Sequence, residues 1–173
     1  RGADNKALVA VAVEDKRETS ATGKGIGSIR LQHISDASPE SLEAFIRTHV
    51  YTGTRIRTDG WSAYKAIPAM GYEHTVVGSE GLKIAHLTIS LLKRWLLGTY
   101  QGAVRPTHLS YYLDEFTFRF NRRTSGSRGK LFYRLVQQSL LVDPVPYHEI
   151  VGDKAVQGKI CTHNHIELHD VPF

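Results

Sequence analysis

Asp59 has the plainest chemical position in this sequence. It closes a short run, Thr54 to Thr58, and is followed by Gly60 and Trp61, so its carboxylate projects where a strand gives way to a loop. In open α/β sheets ligands gather outside the carboxyl ends of strands, and a carboxylate placed there is a hard oxygen donor for a cation. The same aspartate can instead cap the turn into Trp61-Ser62-Ala63-Tyr64, as aspartates in loops commonly do. His86 and Lys93 form a second constellation. Lys93 follows His86 by seven positions, nearly two helical turns, which puts both on one face with Ser90 between them. An imidazole on that face can ligate a metal, and an ammonium two turns on can hold a phosphate. A solvated helix face decorated with a His and a Lys is the plainer alternative.

Asn121, in Phe120-Asn121-Arg122-Arg123, is followed seven residues later by Arg128 and so repeats that spacing. Gly126 and Gly129 interrupt the stretch, which removes the shared helical face, and Asn121 reads as a polar neighbour of phosphate-contacting arginines. Those are Arg119, Arg122, Arg123 and Arg128. They belong to a basic zone: between Lys93 and Arg134 lie nine Lys or Arg (93, 94, 105, 119, 122, 123, 128, 130, 134) against Asp114 and Glu115 alone. The whole chain carries a net charge of +5, so the remainder is slightly acidic. Such localisation points to a polyanionic partner, with Lys93, Arg94 and Lys130 among its contacts, or to a solvated basic face. Trp61 and Tyr64 can stack on a base or sit half-buried after the strand. Cys161, His163, His165 and His169 can form a metal clip, but so many donors in so few residues leave little loop to wrap an ion, and an irregular tail is the better reading.

The elements that must position these groups can be read from periodicity. Ala7 to Val13 is an apolar, β-branched run that reads as a strand buried on both faces, and Ser28 to Ile34 alternates like its hairpin partner. Gly23-Lys24-Gly25-Ile26-Gly27 between them is a turn; it lacks the Lys-Ser or Lys-Thr of a phosphate loop. Ser38, Pro39 and Glu40 mark a helix start, with Leu42, Phe45, Ile46 and Val50 at helical spacing until Gly53. Thr54 to Thr58 and Gly71 to Val77 predict two more strands. Helices are predicted over about 86–97, ended by Gly98 and Gly102, over 107–122, and over 131–141 after a loop at 124–129; beyond Pro144 and Pro146 the chain reads as irregular. Strand, strand, helix, strand, strand and then helices is the order of an α/β fold with a mixed sheet flanked by helices.

An apolar content of 41% and a charged content of 23% suit a globular protein, and no apolar run approaches the ~18 residues of a membrane span. One Cys excludes a disulfide framework and a four-Cys zinc site and fits a cytoplasmic protein. The opening Arg1-Gly2-Ala3-Asp4 resembles neither an initiator Met nor a signal peptide, and reads as the middle of a longer protein.

Several segments together resemble one branch of the bacterial insertion-sequence transposases of the DDE type. They are Gly2-Ala3-Asp4-Asn5-Lys6 and the strand after it, Thr58-Asp59-Gly60-Trp61-Ser62-Ala63-Tyr64, the run Ser90 to Val104 (SLLKRWLLGTYQGAV), and Tyr112-Leu113-Asp114-Glu115-Phe116 leading to Phe118-Arg119-Phe120-Asn121-Arg122-Arg123. The similarity covers residues 1–151 in the family's order. It implies a ribonuclease-H-like catalytic domain over 1–151, followed by a tail over 152–173, acting on DNA ends with Mg²⁺ or Mn²⁺ and assembling as a homo-oligomer on DNA. Asp59 matches the second Asp of the catalytic set. His86 matches the third position, where this branch accepts His or Asn, and Lys93 the trailing Lys. The first catalytic Asp belongs on a strand before Arg1, and Asp4 is not its equivalent; a sheet lacking its first strand is therefore expected. Two-metal phosphodiester chemistry needs hard oxygen ligands, and neutral imidazole is a poor one for Mg²⁺. With Asp59 as the only carboxylate left of the catalytic set, this chain alone is expected to be inactive; a non-catalytic DNA-binding or multimerising remnant is the alternative.

Overall fold

In the computed structural model, which describes residues 7–21, 25–101 and 104–151, the apolar run that opens the sequence becomes strand β1 (Leu8–Asp15). It pairs antiparallel with β2 (Ile26–Ile34), Leu8 opposite Ile34 and Val11 opposite Leu31, with an irregularity between Val13 and Asp15. Alternation sends the two faces of this hairpin to different cores. Val9, Val11 and Val13 pack on a cluster of Ile29, Leu31, Leu92, Leu109, Leu113, Phe116 and Phe120, while Ala10 and Ala12 join Phe45, Ile46, Ile67, Met70 and Tyr72. The strand is thus covered on both sides, as its unbroken apolar composition demands.

Helix α1 (Pro39–His49) supplies the second cluster through Phe45 and Ile46. Its start is as read: the Ser38 hydroxyl accepts from the Ser41 N–H at 3.3 Å and Pro39 occupies the first turn. It stops at His49, short of the predicted Gly53, because Val50 is already extended and starts the path to strand β3 (Arg55–Thr58). Two 3₁₀ turns, Ser62–Tyr64 and Pro68–Met70, connect β3 to strand β4 (Glu73–Val76), which pairs parallel with it.

A 3₁₀ turn, Ser79–Leu82, leads into α2 (Lys83–Tyr100), which continues through Gly98 and ends at Gln101 in a left-handed conformation, φ 50°. Hydrogen bonding along the helix outweighs the cost of one internal glycine, so Gly98 does not break it. Helix α3 (Leu109–Asn121) buries Leu109, Leu113, Phe116 and Phe120 against β2, the spacing expected of a core face. Helix α4 (Arg128–Ser139) begins inside the segment predicted as loop, so Arg128 starts a helix; a short α5 (Tyr147–Val151) follows Pro146 where an irregular chain was expected. Strand β2 likewise starts two residues earlier than predicted, at Ile26.

The fold is mixed α/β. The described strands make two two-stranded sheets, β1-β2 and β3-β4, in place of the single mixed sheet expected. The reason is local: β1 and β3 share no ladder hydrogen bonds. They are close all the same, since Ala10, Ala12 and Ile56 belong to one core cluster and the Arg57 guanidinium reaches the Asp15 carboxylate. The chain divides into two compact units at Arg128/Gly129, and all the elements from β1 to α3 belong to the first. No helix among the described residues is long and apolar enough to cross a membrane.

Candidate active site

Asp59 stands one residue past the end of β3. Thr58 before it is buried, at 8% exposure, and its carbonyl accepts the Val77 N–H at 2.9 Å, which extends the parallel ladder to its last turn. The Thr58 hydroxyl accepts the Gly60 N–H at 3.3 Å and lies 2.9 Å from Nε2 of His74 on β4. Gly60 then turns the chain with φ +80°, a conformation that needs glycine, and a Cβ there would stand 2.6 Å from the Val76 side chain. Asp59 is left exposed, with Oδ1 accepting the Trp61 N–H at 3.2 Å. Asp59 thus caps the turn with one oxygen while the residue stays exposed at a strand's carboxyl end.

The aromatic pair behind it is fixed. Trp61 and Tyr64 meet edge to face, ring centroids 6.0 Å apart, and the Tyr64 hydroxyl is pushed above its ordinary pKa by burial first and by the Asp59 charge second. Trp61 remains 46% exposed while Tyr64 is half-buried.

Helix α2 begins beside this strand end, because the turn Ser79–Leu82 that leads into it packs against β3. Its inner face holds Thr88 and Leu92. His86, Ser90, Lys93 and Arg94 are exposed on the outer side, and the Ser90 hydroxyl is spent on the His86 carbonyl at 2.9 Å. The two constellations thus sit on separate elements: no hydrogen bond or ion pair joins Asp59, His86 and Lys93. Among the described residues, no three His, Cys, Asp or Glu side chains converge to hold a metal ion. Mg²⁺ demands near-octahedral oxygen coordination, and one carboxylate and one imidazole on separate elements do not supply it. The donor set present does not fit the expected metal pair by itself.

The basic zone separates into two behaviours. Lys93 and Arg94 have no ion-pair partner among the described residues, and Lys130, in the second unit, is exposed. The C-terminal turn of α3 is different. Arg119 pairs with Glu115 at 2.9 Å, and Glu115 also accepts from the Tyr100 hydroxyl at 3.0 Å. The Arg122 guanidinium lies 3.9 Å from the centroid of Phe118, and that of Arg123 lies 4.1 Å from that of Phe120. Arg123 also donates to the carbonyls of Ile26, Gly27 and Phe120, and burial lowers its pKa from the usual arginine value.

Asn121, a predicted neighbour of DNA contacts, has both amide atoms occupied. Its Oδ1 accepts the Ile29 N–H at 2.7 Å and its Nδ2 donates to the Ile29 carbonyl at 3.0 Å. Asn121 and Arg123 together seal the outer edge of β2. Nothing in the sequence pairs Asn121 with a residue 92 positions earlier. The Thr58–His74 pair behind Asp59 was missed for the same reason; its only local sign is two polar residues in otherwise strand-like runs. Cys161, His163, His165 and His169 lie outside the described residues, as does the side chain of Arg128.

Comparison with known families adds one finding. The profile of a family described as ISXO2-like transposase domain matches residues 1–121, a span that contains β1 to α3 and the whole Asp59 and α2 region. No curated protein and no solved structure matches the chain.

Proposed function

The chain belongs to the ISXO2-like family of DDE-type transposases, and from that premise we propose that residues 1–151 are a ribonuclease-H-like catalytic domain that cuts and joins DNA strands at insertion-sequence ends. Transposases act on DNA, which identifies the class of partner. In this reading Asp59 is an acidic metal ligand, His86 fills the third position of the set, and Lys93 with Arg94 grips the phosphate backbone, Mg²⁺ or Mn²⁺ being the metal. Assembly as a homo-oligomer on DNA belongs to the same reading.

The observation that supports it best is the position of Asp59 relative to the two half-sheets. The ladder edge of β3 that does not face β4 and the edge of β1 that does not face β2 are both unpaired among the described residues. Both strands contribute to one apolar cluster and are tied by Arg57 and Asp15. A strand inserted between them would convert two ribbons into one mixed sheet, and a carboxylate near its end would stand beside Asp59. Unpaired edges are unfavourable and are normally paired or covered. The incomplete donor set of the described residues and the interruption of the sheet then have a common explanation: one strand that carries the first Asp.

That incomplete set equally favours the second reading, a non-catalytic form that keeps the exposed cations of α2 and binds DNA without cutting it. Nicking of supercoiled DNA with Mg²⁺ or Mn²⁺ separates the two. The chain as it stands, a form extended upstream by a strand that carries an Asp, and the extended form with Asp59→Ala are compared. Nicking by the extended form alone, lost in Asp59→Ala, is the expected result. An extended form that folds and binds DNA but never nicks it removes the catalytic reading and leaves the binding one.

A further inference from the structure

Trp61 is held in the manner of a platform. Its main-chain N–H is fixed by the Asp59 carboxylate at 3.2 Å, its carbonyl accepts the Tyr64 N–H at 3.0 Å, and its ring rests edge to face on the half-buried Tyr64. Few rotatable bonds are left to order, yet 46% of the residue stays exposed. The other tryptophan, Trp95, shows the opposite: it is half-buried against Tyr100 and Phe116, at centroid distances of 5.2 and 5.4 Å. Lys65, just past the 3₁₀ turn that follows Trp61, is exposed, with no ion-pair partner among the described residues, while Ala63, Ile67 and Met70 of the same segment are buried in the core. An aromatic ring and an ammonium four residues apart are therefore both exposed on the segment that follows Asp59.

We propose that Trp61 stacks on an unpaired nucleobase of the DNA strand brought to Asp59, with Lys65 on a phosphate of that strand. The proposal rests on the reading of this loop as the DNA site. Stacking on aromatic side chains combined with backbone cations is how single strands are held, and every base offers a π-face, so the contact is tolerant of sequence. In a duplex the bases are covered by their neighbours. The platform therefore selects frayed, flipped or single-stranded DNA over intact duplex, which suits an enzyme that must handle strand ends.

The test uses the full chain and three labelled probes: a single-stranded oligonucleotide, the same strand with an abasic position at each place in turn, and the matching duplex. The expected results are that Trp61→Ala weakens single-strand binding about tenfold, with Trp61→Phe keeping most of it. One abasic position weakens the wild type similarly and has no effect on Trp61→Ala. Duplex affinity and the salt dependence of binding stay unchanged in Trp61→Ala, and its unfolding midpoint matches the wild type. A wild type indifferent to every abasic position overturns the proposal, and so does an equal loss on duplex and single strand. The abasic discrimination is read from binding alone, so stacking can stand even if the extended form never nicks DNA.

Discussion

On α2, Lys93 and Arg94 extend into solvent with no ion-pair partner among the described residues, whereas Arg119, Arg122 and Arg123 near the end of α3 lie against a carboxylate, aromatic rings and main-chain carbonyls. In the sequence the two segments look alike, each a cluster of cations close to large apolar residues. The difference is what lies beneath them. The C-terminal turn of α3 ends beside the free edge of β2, where unsatisfied N–H and C=O groups must be met, and arginine and asparagine side chains are shaped to meet them. The outer face of α2 borders no such edge. Net charge along a sequence therefore overstates the charge available to a polyanion, because part of it is already spent on the fold.

Asn121 offers the largest break in this comparison. Asn121→Ala removes two hydrogen bonds and leaves the Ile29 N–H and carbonyl without their partner at a position where Ile29 itself is 0% exposed. Leaving buried backbone groups unpaired costs about 1–3 kcal/mol each, and because both bonds are only part-buried the low end applies, a loss of about 2–3 kcal/mol. Urea unfolding reads it directly. DNA affinity of the folded variant should stay at the wild-type value; a stable variant with weakened DNA binding would return Asn121 to the interface.

The elements that position these groups were legible where the signal is local. Periodicity and caps marked β1, α1 and α3 because burial on one or two faces writes itself into the spacing of Leu42, Phe45 and Ile46 or of Leu109, Leu113 and Phe116. Asp59 at a strand end was legible for the same reason, since strand, Asp and Gly are neighbours. The commitments of Asn121 to Ile29, of Arg123 to Ile26 and Gly27, and of Thr58 to His74 were not, since each joins segments whose meeting depends on the whole topology. Exposure of Trp61 was equally hidden, since a ring just after a strand reads as readily as half-buried, whereas the core-facing side of Trp95 follows from its place beside Leu91, Leu92 and Leu96 on α2.

A smaller effect is expected where Arg57 of β3 meets Asp15 at the end of β1. Asp15 accepts from the Arg17 side chain, at 2.7 Å for its shortest bond, and from Arg57. Foremost the Arg17 hydrogen bonds, with the nearby guanidinium charges, hold its carboxyl down from 3.8 to about 2, against an opposing push from burial. A depressed folded-state value means the stabilisation is complete above the unfolded carboxylate range and drains as pH falls toward 2. Asp15 retains 14% of its side-chain exposure and Arg17 retains 33%, so solvent screens the pair and about 1 kcal/mol is a fair size. Unfolding free energies of wild type and Asp15→Asn should differ by that amount at neutral pH and converge between pH 4 and 2. A difference constant across that window would remove the ion pair as its source.

The finest distinction is between single cations. Lys93→Ala and Arg94→Ala should each weaken DNA binding several-fold and lower the slope of log affinity against log salt by about 1, the signature of one lost phosphate contact. Their stability should stay within about 0.5 kcal/mol of wild type, since neither side chain supports another. Arg123→Ala should show the reverse, because its guanidinium is held by three main-chain carbonyls and the Phe120 face. It should lose about 1–2 kcal/mol of stability with an unchanged salt slope. Measuring both quantities on all three variants matters more than either alone. If Arg123→Ala lowers the slope as Lys93→Ala does, the end of α3 serves the fold and the DNA at once. The division between the two segments would then be one of degree, set by how much of each guanidinium the main chain leaves uncovered.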